Sequence, residues 1–221
     1  MSKTDLMITL QPAGREVFPG KIFCIGRNYE SHARELGNAL PVKPVVFMKG
    51  RNALLPHGAT VPFPTHGNDL QHEAELVILI GKTGKNIQVS DAESYIAGYG
   101  LGLDLTLRDV QSELKKGGLP WEIAKAFDGS APLGQFTEQV SAVENLEIKC
   151  EINGDLRQHG FCRNMIFSVP ELISYLSGIF TLEPGDLIFT GTPEGVGPIN
   201  PGDHVKVSIS EIGSTTFIFS S

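Results

Sequence analysis

Long apolar runs are missing. No stretch of the 221 residues approaches the roughly 18 apolar positions that a helix needs to span a bilayer, so a membrane-spanning helix is not expected. A basic excess is missing too: 18 Lys and Arg against 25 Asp and Glu leave a net charge of −7. An acidic chain suits neither nucleic acid nor an anionic membrane surface. A local cation and a few basic groups can still reverse the field inside a cleft, so a small anionic substrate stays open. Cysteine is scarce and unpatterned. Cys24, Cys150 and Cys162 are odd in number, widely spaced and without C-x-x-C. That argues against a zinc ribbon or a disulfide framework and for buried thiols in a reducing compartment. The N-terminus lacks the apolar core of a secretory signal and the arginines of a transit peptide, so a cytoplasmic location is expected. There is no internal repeat, and no G-x-G-x-x-G follows a strand, which disfavours a Rossmann nucleotide fold.

What is present is a series of short β-rich runs separated by turns. Gly (25) and Pro (14) are scattered, as turns require. Lys21 to Gly26 reads as a strand, and Asn28 to Leu36 as a helix-like segment stopped by Gly37. Residues 51–68 read as loop. Glu73 to Ile80 reads as a strand whose first half alternates and whose second half is continuously apolar, as if it ran from a polar cleft into a core. Tyr95 to Leu105 is a second such strand, followed by a helix over 106–116 closed by Gly117-Gly118. Asn153-Gly154 marks a type I′ hairpin, and 169–179 a helix. The pattern predicts an α+β, mostly β fold, with a short N-terminal segment (1–20) ahead of a single catalytic domain (21–221).

Glu73 and Glu75 are two apart on the expected strand and so share a face. At an effective dielectric of about 20, unit charges 4 Å apart interact by about 4 kcal/mol, so like charges held this close call for a cation between them. Asp104 ends the apolar run G-Y-G-L-G-L-D, an unusual place for a carboxylate. Three carboxylates with no His or Cys ligand pattern suit a hard cation, Mg²⁺ or Mn²⁺. On spacing alone, E-x-E equally describes the solvent face of an edge strand.

Longer motifs break that tie. G-R-N-Y-E-S-H-A-R-E (26–35), H-E-A-E-L (72–76), L-D-L-T-L-R-D-V-Q (103–111), P-W-E-I-A-K-A-F-D (120–128) and T-G-T-P-E-G-V-G-P (190–198) occur in this order. Together they resemble the fumarylacetoacetate hydrolase family, and within it the small acylpyruvate hydrolase and oxaloacetate decarboxylase group. The resemblance implies a mixed β-sandwich roll, a homodimer, and metal ligands at Glu73, Glu75 and Asp104. It implies a small 2-keto acid substrate, with hydrolysis of acylpyruvates to pyruvate and a carboxylic acid as the leading activity. Oxaloacetate decarboxylation or keto–enol tautomerisation at the same metal is the alternative, and a non-enzymatic metal- or ligand-binding β-domain is the third. His32 and Glu35 are implied as a water-activating pair on a lid that Arg27 and Asn28 begin. Lys125 is implied to face developing negative charge. Arg108 and Gln111 share a helix face suited to a carboxylate, and Arg27, Lys49 and Thr192 complete the substrate contacts that the resemblance implies.

Overall fold

In a computed structural model, which describes residues 6–37 and 39–220, a larger and a smaller sheet enclose the core, with a short three-stranded sheet beside them. The larger sheet has nine strands among the described residues. Its centre runs Ala131–Thr137, Ile96–Leu103, Ala74–Ile80, Leu187–Phe189, Ile22–Gly26 and Val45–Lys49. Leu187–Phe189 lies parallel to Ile22–Gly26 and antiparallel to Ala74–Ile80. The N-terminal hairpin Ile8–Gln11 and Arg15–Val17 extends this sheet by pairing in parallel with Ala131–Thr137. The smaller sheet orders Asp155–Phe161, Glu147–Ile152, His204–Ile209, Gly213–Phe219 and Thr60–Val61.

The two sheets differ in pattern because they differ in cover. Glu147–Ile152 and His204–Ile209 alternate buried positions with partly or fully exposed ones, as expected when one face meets the core and the other meets water. Ala74–Ile80 is buried throughout. Leu76 and Ile78 pack into a core shared with Ile148, Val205 and Phe217 of the smaller sheet. Val77 and Leu79 point the other way, into a second core with Cys24, Leu133 and Phe189. The continuous apolar run in the sequence thus marks a strand with cores on both faces.

Among the described residues four α-helices sit around the sheets: α1 (Glu30–Glu35), α2 (Arg108–Gly117), α3 (Glu122–Lys125) and α4 (Val169–Ile179). Helix α2 ends on left-handed Gly118, and the backbone N–H of Ser168 donates to Glu171 at the start of α4. Asn153 and Gly154 both have positive φ, as the type I′ hairpin requires.

Three local expectations shift. Glu73 is not within the long strand; it lies between Leu70–His72 and Ala74–Ile80. The cause is a change of partners, because Leu70–His72 leaves the large sheet to pair with Thr106–Leu107 and Gly197–Pro198. For the same reason the first two residues of the expected helix 106–116 are strand, and α2 starts at Arg108. Residues 51–68 carry a 3₁₀ turn and two short strands, Leu54–Leu55 and Thr60–Val61, each recruited to a sheet by parallel pairing.

The G-Y-G-L-G-L run now has a physical reason. Gly98, Gly100 and Gly102 face one side of their strand, where Leu10, Phe136 and Phe189 of the second core rest directly on the backbone. A Cβ at Gly100 would overlap the Phe136 ring. Gly100→Ala is therefore expected to cost about 1–3 kcal/mol by overpacking, read as a lower Tm in calorimetry; an unchanged Tm would show that this layer yields freely.

Candidate metal centre and its cavity

The strand pair Ala74–Ile80 and Ile96–Leu103 places the carboxylates. Ala74 opposes Leu103 in the antiparallel register, and the Asp104 N–H donates to the Glu73 carbonyl (2.8 Å) just beyond it. Asp104 is thereby set beside Glu73 and Glu75. Carboxylate oxygens from all three lie within 4.8 Å of one another, and all three residues are buried.

Three cations offset this charge. Lys125 Nζ donates to Glu73 Oε2 (2.7 Å) and Asp104 Oδ2 (2.9 Å). Lys49 Nζ lies 2.8 Å from Asp104 Oδ1. Arg108 pairs with Glu73 and also donates to Gln71 (2.9 Å) and Gln111 (2.8 Å). Burial alone would push the Glu73 carboxyl up, but Lys125 and Arg108 overcome it and hold Glu73 well below its ordinary value. Glu75 fares differently. It accepts the Gly191 N–H (2.8 Å), while burial, Asp104 and Glu73 push its carboxyl well above the usual range. Burial would lower Lys125, but Asp104 and Glu73 raise it above the ordinary lysine value, so it stays an ammonium. This cluster fits a divalent cation: the donors are all hard oxygens, and Glu75 has the least positive compensation.

Glu73, Glu75 and Lys125 open on one cavity with Arg27, His32, Arg108, Gln111 and Thr192. Helix α1 closes over it. His32 is buried, its Nδ1 3.3 Å from Glu35 Oε2, and Glu35 in turn accepts the Gly195 N–H (3.1 Å). Gly195 has a φ of +92°, and a Cβ there would run into the Arg157 carbonyl. Asn28 fastens the entry to α1, donating to the carbonyls of Thr190 (2.8 Å) and Phe167 (3.0 Å).

Two expected substrate contacts are differently employed. Lys49 is off the cavity wall, with its side chain fully buried against Asp104 and the carbonyls of Ser130, Leu105 and Lys125. It holds Asp104 and the chain around Lys125 in place. Thr192 lines the cavity, but its hydroxyl donates to the Ala74 carbonyl (2.8 Å). The Gly-rich turn spends its Gly191 and Gly195 amides on Glu75 and Glu35.

The sequence reading missed Gln158, which is fully buried. Its Oε1 accepts from the Ala74 N–H (3.0 Å) and lies 2.9 Å from His72 Nδ1; its amide donates to Thr192 Oγ1 (2.7 Å) and the Pro193 carbonyl (2.8 Å). One side chain from the smaller sheet thus ties the backbone between Glu73 and Glu75 to the turn that holds Glu75. In the sequence it is one polar residue among Arg157, Gln158 and His159, with no signal of its own. Phe47, Lys115 and Trp121 also line the cavity and were missed; Trp121, the sole tryptophan, was the readable hint.

Gln158→Leu strands several buried partners, each costing about 1–3 kcal/mol when left unsatisfied. Lower thermal stability together with weaker Mg²⁺ binding by calorimetry is expected. Wild-type metal affinity in a folded variant would show that the strut does not position the ligands.

The model of the fumarylacetoacetate (FAA) hydrolase C-terminal family matches residues 21–218. The oxaloacetate tautomerase FAHD1, mitochondrial, of Bos taurus is 46% identical over 198 residues, covering 89% of this chain and 90% of that protein. The mitochondrial oxaloacetate decarboxylase of Dictyostelium discoideum is 44% identical over 193 residues, covering 86% and 88%. The crystal structure of fumarylpyruvate hydrolase from Pseudomonas aeruginosa, in complex with Mn²⁺ and pyruvate, superposes with a TM-score of 0.93 at 38% identity, covering 98% of this chain and 96% of that one. With a family model spanning nearly the whole chain and a buried carboxylate triad at its centre, this protein belongs to the fumarylacetoacetate hydrolase family.

Proposed function

We propose that the chain is a Mg²⁺- or Mn²⁺-dependent hydrolase that cleaves the C3–C4 bond of acylpyruvates to pyruvate and a carboxylic acid. The observation that carries this reading is the opening of Glu73, Glu75, Lys125 and His32 on one cavity, with Glu35 beside His32 Nδ1. Glu73, Glu75 and Asp104 would hold the cation, which when bound supplies Lewis acidity toward the oxygens of a 2-keto acid. The homodimer expected for the family belongs to the same reading.

The side chains divide the remaining work. Donation of His32 Nδ1–H to Glu35 leaves Nε2 as the basic nitrogen. There it takes a proton from water, and Glu35 stabilises the imidazolium. The hydroxide adds to the C4 carbonyl. As C3–C4 breaks, its electron pair passes to the pyruvate fragment as an enolate, and C3 is then protonated. Lys125, held charged, faces that negative charge. Arg108 and Gln111 line the wall for the substrate carboxylate.

The names of the relatives favour a second reading, oxaloacetate tautomerisation or decarboxylation. Decarboxylation needs no attacking water, so the two chemistries lean differently on His32.

Purified protein with Mg²⁺ or Mn²⁺ is expected to consume acetylpyruvate, and EDTA to stop it. Failure on every 2,4-diketo acid and on oxaloacetate would leave a metal-binding domain. His32→Ala should lower hydrolytic kcat by about 10²–10⁴-fold while sparing decarboxylation; full hydrolysis in this variant would remove the water-activating role. Burial, Asp104 and Glu73 hold the Glu75 carboxyl above its ordinary value before metal binds, so metal binding and proton loss at this group are coupled. Mg²⁺ affinity should therefore rise with pH through that raised value, with proton release seen as buffer-dependent calorimetric heats. Buffer-independent heats would contradict it.

A further inference from the structure

A second cleft, of about 510 Å³, borders the Gly195 turn whose amide holds Glu35. Its size falls in the range of small-molecule sites, roughly 300–1,000 Å³. It runs between the hairpin turn at Asn153-Gly154 and residues 195–203, and its wall includes His72, Asp155, Leu156, Arg157, Val196 and Asp203. None of these six borders the catalytic cavity. His72 is the unusual member, because it is only 1% exposed. Its Nδ1 lies 2.9 Å from Gln158 Oε1, and that amide is oriented by donating its nitrogen to Thr192 Oγ1 and the Pro193 carbonyl. Nδ1 therefore carries the hydrogen. Burial disfavours the imidazolium, so Nε2 keeps its lone pair. No described residue donates to that nitrogen, and a buried acceptor without a donor is unfavourable. Nε2 faces Gly197, where a Cβ would sit 3.7 Å away. Because position 197 carries no side chain, the cleft reaches the ring.

The charges around this nitrogen narrow the ligand. Arg157 pairs with Asp155 at 3.6 Å, but both side chains are more than half exposed, so the pair is weak and the guanidinium is available. Arg157 also acts on His72 and Asp203, so these groups converge on one space. Asp203 is held in place by the side chain of Asn153 and the backbone of Asn200. The cleft thus presents a hydrogen-bond acceptor, one cation and two carboxylates, beside the apolar Leu156 and Val196. A guanidinium suits a carboxylate, and the lone pair suits an N–H or O–H donor. The two aspartates decide between these donors. An ammonium is attracted to them, whereas a hydroxy acid would bring a net anion into a cleft that is already acidic.

We infer that this cleft is a second binding site, for a small apolar amino acid whose ammonium donates to His72 Nε2, whose carboxylate pairs with Arg157 and whose side chain lies along Leu156 and Val196. The site does not depend on the reaction proposed above. Its consequence reaches the carboxylate triad through Gln158, which His72 shares with the Ala74 amide between Glu73 and Glu75. A donor on Nε2 locks the ring against Gln158 and so steadies the backbone between two metal ligands. Amino acid and Mg²⁺ should then strengthen one another's binding by the same factor. That coupling, unlike the site, rests on Glu73 and Glu75 holding the cation.

Two calorimetric measurements test the site and the coupling in turn. In the first, Mg²⁺-loaded protein is titrated with L-leucine, with 2-hydroxy-4-methylpentanoate, which lacks the ammonium, and with 3-methylbutylamine, which lacks the carboxylate. Wild type is expected to bind leucine about tenfold tighter or more than either, as charge-assisted contacts warrant. Gly197→Ala places a methyl at ordinary contact distance in front of Nε2, and Arg157→Met removes the guanidinium without touching the core. Each should weaken leucine binding about tenfold or more. No leucine binding by wild type, or affinity unchanged in both variants, would overturn the site; the latter would place the ligand at the metal instead. Tighter binding of the hydroxy acid, lost in Gly197→Ala, would overturn the amino-acid assignment. In the second, Mg²⁺ is titrated with and without saturating leucine. Leucine should tighten Mg²⁺ binding about fivefold or more, and Gly197→Ala should abolish the effect. Equal Mg²⁺ affinity with leucine bound would overturn the link through Gln158 while leaving the site.

Discussion

Three carboxylates held within 4.8 Å of one another and shielded from water form the constraint around which the molecule is arranged. Left alone, each like-charged pair at such range is unfavourable by a few kcal/mol at an effective dielectric of about 20. Lys49, Lys125 and Arg108 converge on Glu73 and Asp104 from three directions, and only Glu75 is left with a backbone amide. The local electrostatics are thus organised for one further positive charge. The two-sided burial of Ala74–Ile80 makes the arrangement rigid, because any slip in register would turn Glu75 toward the opposite core.

The same constraint explains the division of labour between the sheets. The large sheet carries Glu75 and sets Glu73 and Asp104 at its strand ends, while Gln158 of the smaller sheet fixes the backbone between Glu73 and Glu75. Lys49, expected at the substrate, instead neutralises Asp104 from behind. Its identity as lysine was legible, but its direction was not, since an ammonium on a short strand reads the same whether it faces a cleft or a buried acid.

Local periodicity and turn chemistry made much of the fold legible. The hairpin at Asn153-Gly154, helix α4 and the strands on either side of the metal centre follow from patterns a few residues long. The break at Glu73 and the strand at Thr106–Leu107 do not, because both arise from pairing with residues far along the chain. Within the site, the carboxylates announced themselves as charge in apolar surroundings. Gln158 and Lys115 did not, since a buried amide and a cavity lysine are indistinguishable in sequence from surface ones. The long motifs carried what spacing could not: E-x-E alone describes many exposed strands.

The contact between Glu35 and the Gly195 amide has a consequence for how the protein tolerates change. Position 195 admits no side chain without displacing the turn from Arg157. A single methyl group there would disturb the carboxylate that orients His32, although the two positions are far apart in the chain and belong to different elements. The proposed water activation would then weaken through a residue that lies outside the cavity wall. The space left by one absent Cβ is, in effect, part of what holds a histidine on another element in place.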